Sequence, residues 1–292
     1  MQINAKELIY SYGKTSSGRV NALSGVNLEI ASGEFCGIIG ETGSGKSTFV
    51  QHLNGLLRVK KNCGALTVGE FDLTSKKCDL KKLRARAGMV FQYPEYQLFA
   101  ETVEEDVAFG VKNFMPDKTE KERAELVEKA LNMVGLDYNE YAKRSPFDLS
   151  GGQKRRAAIA GVIVTKPEIL ILDEPVAGLD PAGKRDFVAL LKKLHADFVK
   201  TIIVVSHDMD FIAENCSEVA VFKDGKVSFY GTPKETFLSG EAKKAGLGDT
   251  VITRLTESLK AAGADVESDL TAADFIEKFA AFYFNDKGGN AL

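Results

Sequence analysis

The sequence predicts an α/β fold built around a parallel β-sheet that is covered on both faces. Three apolar runs, at residues 169–172, 201–205 and 219–222, lack the polar–apolar alternation of a half-exposed strand. Helix-forming segments separate these runs, and a fourth candidate strand, residues 34–39, runs directly into a glycine-rich loop. Unalternating strands separated by helices are typical of a parallel sheet buried on both sides.

Length and composition are those of an ordinary folded protein. At 292 residues, 44% apolar and 27% charged, the chain allows one large domain or two small ones without disulfides or metal. Its 38 Lys and Arg against 41 Asp and Glu leave a net charge of -3, so no basic field indicates nucleic-acid binding. The scattered cysteines favour free thiols in a reducing compartment; they are Cys36, Cys63, Cys78 and Cys216.

The sequence has no candidate membrane segment. No apolar run approaches the roughly 18 residues that cross a bilayer, and the start of the chain lacks the apolar core of a signal peptide. We therefore expect an intracellular protein that works at a membrane only through a partner.

The pattern of the chain changes twice. Residues 1–33 alternate like short strands around a polar loop, whereas residues 100–165 show helical spacing, with a capping box at Thr119 and Glu122. Past about residue 240 a tail with two helical patterns begins. One pattern carries Ile252, Leu255 and Leu259, and the other carries Phe275, Ile276, Phe279, Phe282 and Tyr283.

The glycine-rich loop carries the first chemical signal. Residues 40–47 match G-x-x-x-x-G-K-[ST], in which glycines let consecutive backbone N–H groups turn inward around a polyphosphate. The following helix directs its positive end at the same charge, Lys46 can reach the β- and γ-phosphates, and the Ser47 hydroxyl can hold Mg²⁺. The candidate nucleotide-binding residues are Gly40, Glu41, Thr42, Gly43, Ser44, Gly45, Lys46, Ser47 and Thr48.

An apolar strand that ends in two carboxylates is the second signal. Residues 169–172 precede Asp173 and Glu174, and a strand buried to its last residue delivers Asp173 to the edge of the sheet, beside the Mg²⁺ that Ser47 would hold. Glu174 can polarise an attacking water. The alternative is an ordinary strand that happens to end in two acidic residues. The phosphate loop upstream makes this alternative less favoured.

A second anion-binding turn lies at residues 149–153, Leu-Ser-Gly-Gly-Gln. Its small residues stand at the start of a helix, and the N–H groups at helix N-termini bind anions. Because one chain does not need two phosphate cradles for a single nucleotide, we infer that this turn serves the ATP of another chain. The candidates here are Ser150, Gly151, Gly152 and Gln153.

The phosphate loop, the Leu-Ser-Gly-Gly-Gln signature and the Asp-Glu strand, in this order, resemble the ATP-binding subunit of an ABC transporter. The resemblance implies that residues 1–240 form a RecA-like P-loop ATPase core with an antiparallel β-subdomain and an α-helical subdomain at about residues 95–165. It also implies that two such subunits hold two ATP molecules head to tail. Residues 241–292 would form a small C-terminal helical extension, which either helps to hold the dimer together or docks on its own domain.

Four further residues acquire roles from this resemblance. Tyr12 resembles the aromatic that stacks on adenine, although Tyr10 is a competing candidate. Gln92 matches the glutamine that contacts Mg²⁺ and the attacking water. Asp180 lies in the loop through which each subunit senses the other's site, and His207 matches the histidine that grips the γ-phosphate.

These residues together indicate ATP hydrolysis without a covalent intermediate. Glu174 would orient and polarise the water, while Lys46, His207 and Mg²⁺ would neutralise the γ-phosphate. Ser150 of the opposing subunit would complete the site, so catalysis would require closure of the dimer. The expected Mg²⁺-contacting residues are Ser47, Gln92 and Asp173.

The segment from residue 91 narrows the resemblance. Phe-Gln-x-Pro-x-x-Gln at residues 91–97 is similar to the ATPases of energy-coupling factor (ECF) transporters, which import vitamins and transition-metal ions, and residues 96–99 resemble the second of their two paralogous ATPases. Such a subunit would couple ATP binding, dimer closure and hydrolysis to uptake. The transported substrate is not readable from this chain.

The ECF resemblance also implies partners. They are a second ABC ATPase (a paralogue or a second copy), a transmembrane scaffold and a substrate-binding membrane subunit, with the chain peripheral on the cytoplasmic face of the membrane. The segment from Gln97 would line the groove that receives the scaffold. Ordinary core packing is the alternative for Leu98, Phe99 and Val103.

Two other functions remain open. The chain could be the ATPase of another ABC importer, or a soluble ABC ATPase of DNA repair or translation. The latter usually carry tandem ATPase domains or long coiled coils, whereas this chain has one phosphate loop, one signature and no sustained heptads. We expect residues 154–156, Lys-Arg-Arg, to form a solvated or phosphate-adjacent helix face and no nucleic-acid patch.

Overall fold

Two β-sheets organise the part of the chain that our computed structural model describes, namely residues 1–15, 18–264, 266, 268 and 270–287. Within those residues the strands are β1 (Ile3–Thr15), β2 (Gly18–Ile30), β3 (Phe35–Gly40), β4 (Ala65–Val68), β5 (Phe71–Asp72), β6 (Ala87–Val90), β7 (Ile169–Asp173), β8 (Thr201–Val205), β9 (Glu218–Lys223) and β10 (Lys226–Gly231). An antiparallel sheet has the order β2-β1-β4-β5, and a larger sheet has the order β10-β9-β3-β8-β7-β6.

The larger sheet confirms the predicted parallel arrangement. β3 pairs in parallel with β8 and β9, β7 pairs in parallel with β6 and β8, and β10 is antiparallel at one edge. All residues of β3, β7 and β8 are buried, as expected for strands covered on both faces.

Helices cover the sheet and supply the segment between β6 and β7. In the described residues they are α1 (Lys46–Leu53), α2 (Leu80–Arg86), α3 (Val103–Phe114), α4 (Glu120–Met133), α5 (Tyr138–Tyr141), α6 (Gly151–Ile163), α7 (Pro181–Asp197), α8 (Met209–Asn215), α9 (Pro233–Leu238), α10 (Glu241–Lys244), α11 (Val251–Ala261) and α12 (Ala272–Lys287). Helix α4 begins with the predicted capping box, since Thr119 and Glu122 each accept the other's backbone N–H.

Two apolar clusters lie on opposite faces of the larger sheet. One includes Ile159 of α6 and Ile202 of β8, and the other includes Phe49 of α1, Leu66 of β4 and Ile203 of β8. Ile202 and Ile203 face opposite clusters because successive strand residues alternate. The antiparallel sheet and α1 therefore pack on the face opposite the helical segment.

The first two strands are longer than the sequence predicts. The pattern of residues 1–33 indicates short strands, whereas β1 and β2 each have 13 residues and form one antiparallel pair. Register shifts along this pair interrupt the alternation of buried and exposed side chains. The broken pattern therefore reflects bulges within long strands.

The C-terminal segment starts against the glycine-rich loop. Gly246, just after α10, has a φ of +81°, and an ideal Cβ there would lie 2.4 Å from the Glu41 Oε1 atom. The backbone N–H of Val251, at the start of α11, donates to the Asp210 carboxylate at 2.7 Å. This segment therefore contacts the glycine-rich loop that follows β3 and helix α8, which follows β8.

Helices α11 and α12 pack on each other through an aromatic cluster. Ile252, Val266 and Phe275 form its buried part, while Ile276 and Phe284 are exposed. The two predicted helical patterns are therefore confirmed. Among the described residues, no helix combines the length and apolar character needed to span a bilayer.

We expect Gly246→Ala to lower the free energy of unfolding by about 1 kcal/mol, because alanine is strained at this positive φ. The Glu41 side chain can move away from the new methyl group, so the backbone strain dominates. Thermal unfolding should show a Tm lower by roughly 2–4 °C. Gly248→Ala, where a Cβ meets nothing within 4 Å, is the matched control. Equal Tm values for the two variants would contradict the argument.

Candidate nucleotide-binding site

Three loops leave the larger sheet side by side. Ile38 of β3 lies opposite Val205 of β8, and Val205 lies opposite Asp173 of β7. Because these parallel strands end at one edge, the glycine-rich loop, Glu174 and His207 emerge next to each other. The register therefore brings together segments that are far apart in the sequence.

The glycine-rich loop curls tightly between β3 and α1. Gly40, Gly43 and Gly45 have positive φ, and an ideal Cβ on Gly45 would lie 2.4 Å from the backbone oxygen of Ala22. Helix α1 has no side-chain cap, so its first N–H groups remain open to an anion. The hydroxyl of Ser44 is buried and has no hydrogen-bond partner among the described residues. This cradle fits the phosphates of a nucleotide.

Lys46 lies over the same loop. Its ammonium donates to the backbone oxygens of Gly40 and Glu41, at 2.7 and 2.8 Å. Burial lowers the pKa of Lys46, while the carboxylates of Glu174 and Asp173 raise it. The lysine is therefore positioned between the loop and the two acids that end β7.

Asp173 and Ser47 bring two oxygen donors together. The Ser47 hydroxyl lies near the Asp173 carboxyl group and lowers its pKa. Burial raises the pKa of Asp173, and Glu174 raises it further, whereas Ser47 and Lys46 lower it. A hydroxyl and a carboxylate are oxygen ligands of the kind that Mg²⁺ prefers, so the residues present fit a Mg²⁺ ion.

Glu174 and His207 form a pair beside these donors. The ring Nδ1 of His207 lies 2.8 Å from Oε2 of Glu174, and the backbone N–H of His207 points to the same oxygen at 3.4 Å. Glu174 is mostly buried and His207 is exposed. Glu174 has a φ of +50°, a conformation that is uncommon outside glycine and often found at functional sites.

The signature turn caps helix α6. Ser150 accepts the backbone N–H of Gln153 at 3.3 Å, and the Gln153 side chain accepts the N–H of Ser150 at 2.9 Å. Ser150, Gly151 and Gly152 are exposed, and a Cβ on either glycine would meet nothing within 4 Å. The turn is therefore open to a molecule that approaches from outside the chain.

Gln92 and Asp180 lie on loops next to the site. Val90 of β6 lies opposite Leu172 of β7, so Gln92 leaves the sheet at the same edge as Asp173. Asp180 caps α7 by accepting the backbone N–H of Gly183 at 2.9 Å. Both side chains belong to exposed residues.

The structure distinguishes the two tyrosines of β1. Tyr12 is 43% exposed. Tyr10 packs edge-on against Tyr12 and His52, and the Lys60 ammonium lies over its ring. This arrangement favours Tyr12 as the ring with surface available to a base.

Arg155 corrects one expectation. The sequence predicts that residues 154–156 form a solvated or phosphate-adjacent helix face, but Arg155 is not solvated: it is buried and donates to the backbone oxygens of Pro175 and Ala177, at 2.8 and 3.2 Å. Burial lowers its pKa. Arg156 donates to the backbone oxygen of Val134 at 2.8 Å. The helix behind the signature is thus tied to the loop that follows Glu174, a contact that no local pattern reveals.

A groove of about 370 Å³ lies between α3, α6 and residues 97–99. Leu98 and Val103 are buried in the core, in agreement with the packing alternative. Phe99 is 61% exposed, and its ring meets that of Phe109 edge-on at 5.0 Å. An apolar surface is therefore presented along this groove.

A buried carboxylate holds the loop that carries Phe99. Asp106, in the first turn of α3, accepts the backbone N–H groups of Phe99 and Ala100, at 3.2 and 3.0 Å. Burial raises the pKa of Asp106, and these two hydrogen bonds lower it. Sequence reasoning missed this residue, because acids are common in the first turn of a helix for other reasons.

Comparison with known proteins gives consistent similarities. An ABC transporter family model matches residues 23–177. The energy-coupling factor transporter ATP-binding protein EcfA2 of Clostridium tetani is 43% identical over 291 residues, covering 99% of this chain and 100% of that protein. EcfA2 of Symbiobacterium thermophilum is 48% identical over 254 residues, covering 87% of this chain and 86% of that protein.

Solved structures show the same similarity. That of cbiO1 from Clostridium perfringens, described as part of the ABC transporter complex cbiONQ, has a TM-score of 0.72 at 38% identity and covers 89% of this chain and 96% of that one. A dimeric ATP-binding cassette bound to ADP and Pi has a TM-score of 0.69 at 29% identity, covering 79% of this chain and 98% of that one. The fold is therefore that of an ATP-binding cassette.

The raised pKa of Asp106 predicts a pH-dependent effect of Asp106→Asn. An acid whose pKa is raised by folding contributes less stability as the pH rises through its titration, because the folded state holds the proton more tightly. As the pH rises above about 4, where an unperturbed aspartate loses its proton, the free energy of unfolding of the variant should therefore rise relative to that of the wild type. Urea unfolding of both proteins at several pH values measures this difference. A difference that falls with pH would contradict the assignment.

Proposed function

The chain belongs to the ECF transporter ATP-binding proteins of the ABC transporter family, and from this premise we propose that it is the ATP-hydrolysing subunit of an ECF-type importer. The observation that carries the proposal is the convergence of the phosphate loop, Asp173–Glu174 and His207 at one sheet edge. The exposed signature turn at Ser150 supplies the second half of a shared site. ATP is the substrate.

Nucleotide binding follows from the loop. The adenine stacks on Tyr12, and the phosphates lie against the backbone N–H groups of residues 40–48. Ser47 and Asp173, with Gln92 nearby, would hold Mg²⁺. When bound, that ion neutralises charge on the phosphate oxygens. Lys46 exchanges its backbone partners for phosphate, which its three N–H donors allow.

Hydrolysis then depends on two groups of this chain and on a partner. Glu174 orients and polarises the attacking water, and His207 contacts the γ-phosphate. The signature turn of the partner subunit (Ser150, Gly151, Gly152 and Gln153) directs its N–H groups at the same charge. Asp180 lies at the dimer junction. Because the site needs both subunits, dimer closure and hydrolysis are coupled.

The groove beside Phe99 takes the membrane partner. Its exposed aromatic surface suits a helix of a transmembrane scaffold, which in turn carries a substrate-binding membrane subunit. The chain then lies at the cytoplasmic face of the membrane and drives uptake of a vitamin or a transition-metal ion. The exposed side of α12, at Ile276 and Phe284, suits contact with the second ATPase, a paralogue or another copy.

Replacing Glu174 tests the hydrolytic role. We expect Glu174→Gln to retain ATP binding but to lower the hydrolysis rate by roughly 10²- to 10⁴-fold, because an amide is a poor base. With ATP present, the variant should also accumulate as a closed dimer, which size-exclusion chromatography detects. Glu214→Gln, an exposed glutamate on α8, is the control. Wild-type turnover in Glu174→Gln would refute the role of Glu174.

Replacing the groove residues tests the docking role. We expect Gln97→Ala and Phe99→Ala to weaken retention of the membrane scaffold while leaving ATP binding unchanged, since both residues line the groove beside α3 and α6. The readout is a tagged pull-down from detergent-solubilised membranes with mass spectrometry of the retained proteins. Leu238→Ala, another exposed apolar residue, is the control. Unchanged retention of the scaffold in both variants would contradict the docking role, and both residues would then have a packing role only.

A further inference from the structure

Two tyrosines stand side by side on β1. Tyr10 and Tyr12 are two residues apart, so their side chains lie on the same face of the strand. Their ring centroids are 5.1 Å apart and the planes meet at 84°, an edge-to-face contact. A shift of the Tyr10 ring would therefore change the contact that supports the Tyr12 ring.

Tyr12 is also tied to the helix that follows the phosphate loop. Its hydroxyl lies 3.0 Å from Oγ1 of Thr48, in the first turn of α1 and next to Ser47. The hydroxyl end of the ring is thus fixed, while 43% of the side chain stays exposed. The ring needs a second support to define the direction in which its face points.

Tyr10 supplies that support because its own ring is half-buried and is held by His52 and Lys60. The His52 ring packs against it at a centroid distance of 4.7 Å and an angle of 77°. The Lys60 ammonium lies 4.5 Å from the Tyr10 centroid and donates to the backbone oxygen of Ser11 at 2.7 Å. Lys60 therefore holds both the ring and the strand segment between the two tyrosines.

His52 fixes the base of this arrangement. It is fully buried, and its Nδ1 lies 2.7 Å from the backbone oxygen of Thr48. Since a carbonyl oxygen can only accept, Nδ1 carries a proton and donates it to Thr48. Nε2 has no hydrogen-bond partner among the described residues, and burial lowers the pKa of His52, so the ring is neutral. Thr48 thus contacts His52 through its carbonyl and Tyr12 through its hydroxyl.

We propose that Tyr10, supported by His52 and Lys60, is a positioning residue that orients the Tyr12 ring and thereby sets the base-dependent part of nucleotide affinity. This inference rests on the proposed function. Tyr10 itself does not take the base, because the Lys60 ammonium lies over its ring and the His52 ring packs against it. The phosphate-dependent part of the affinity comes from residues 40–48 and is independent of Tyr10.

The test separates base from phosphate binding. A fluorescent N-methylanthraniloyl ATP is displaced from each variant by ATP and by inorganic tripolyphosphate. Tyr10→Ala should weaken the affinity for ATP about three- to tenfold, because the ordering of one side chain is lost. The affinity for tripolyphosphate should not change. Tyr10→Phe keeps the ring and should restore wild-type affinity. Lys60→Ala should weaken the affinity for ATP about two- to fivefold, and Lys61→Ala is its control.

A double-mutant cycle identifies the route of the effect. If Tyr10 acts through Tyr12, then Tyr10→Ala combined with Tyr12→Ala binds ATP no more weakly than Tyr12→Ala alone. Additive losses, equal weakening of tripolyphosphate, or unchanged ATP affinity in Tyr10→Ala would each overturn the inference. Failure of the wild type to bind ATP would instead overturn the proposed function, so the two failures are distinguishable.

Discussion

The parallel register of β3, β8 and β7 is the constraint on which the rest of the site depends. It sets Ile38, Val205 and Asp173 at one level across the sheet, so three loops that are distant in sequence begin at one place. All three strands are buried on both faces, and a slip by one residue would exchange the faces of every side chain. The apolar packing that stabilises the sheet therefore also fixes the relative positions of the phosphate loop, Glu174 and His207.

Helix α1 extends this constraint to the antiparallel sheet. Its first turn follows the phosphate loop, its Phe49 ring packs at 5.4 Å from that of Phe222 on β9, and its Thr48 contacts Tyr12 of β1. Helix α1 therefore fixes the separation between the phosphate loop and the Tyr12 ring, so in the proposed function the phosphate and base contacts are positioned before the nucleotide binds. Such preorganisation reduces the ordering cost of binding.

Buried charged groups connect the remaining parts. Arg155 ties α6 to the loop after Glu174, and Asp106 ties α3 to the loop that carries Phe99. Burying a charge is unfavourable, and the hydrogen bonds of both residues offset part of that cost. These connections could not be predicted from the sequence, because a basic run and a first-turn acid are ordinarily solvated, and their partners here are backbone groups, which every residue carries.

The sequence by itself determined the parallel α/β fold, the phosphate loop, the Asp173–Glu174 strand end and the signature turn, because each depends on residues that are adjacent in the chain. The tertiary structure decided which tyrosine of β1 is exposed, that Leu98 and Val103 belong to the core, and that Ile3–Thr15 and Gly18–Ile30 are two long bulged strands. Those outcomes depend on contacts between distant segments, which local periodicity does not contain.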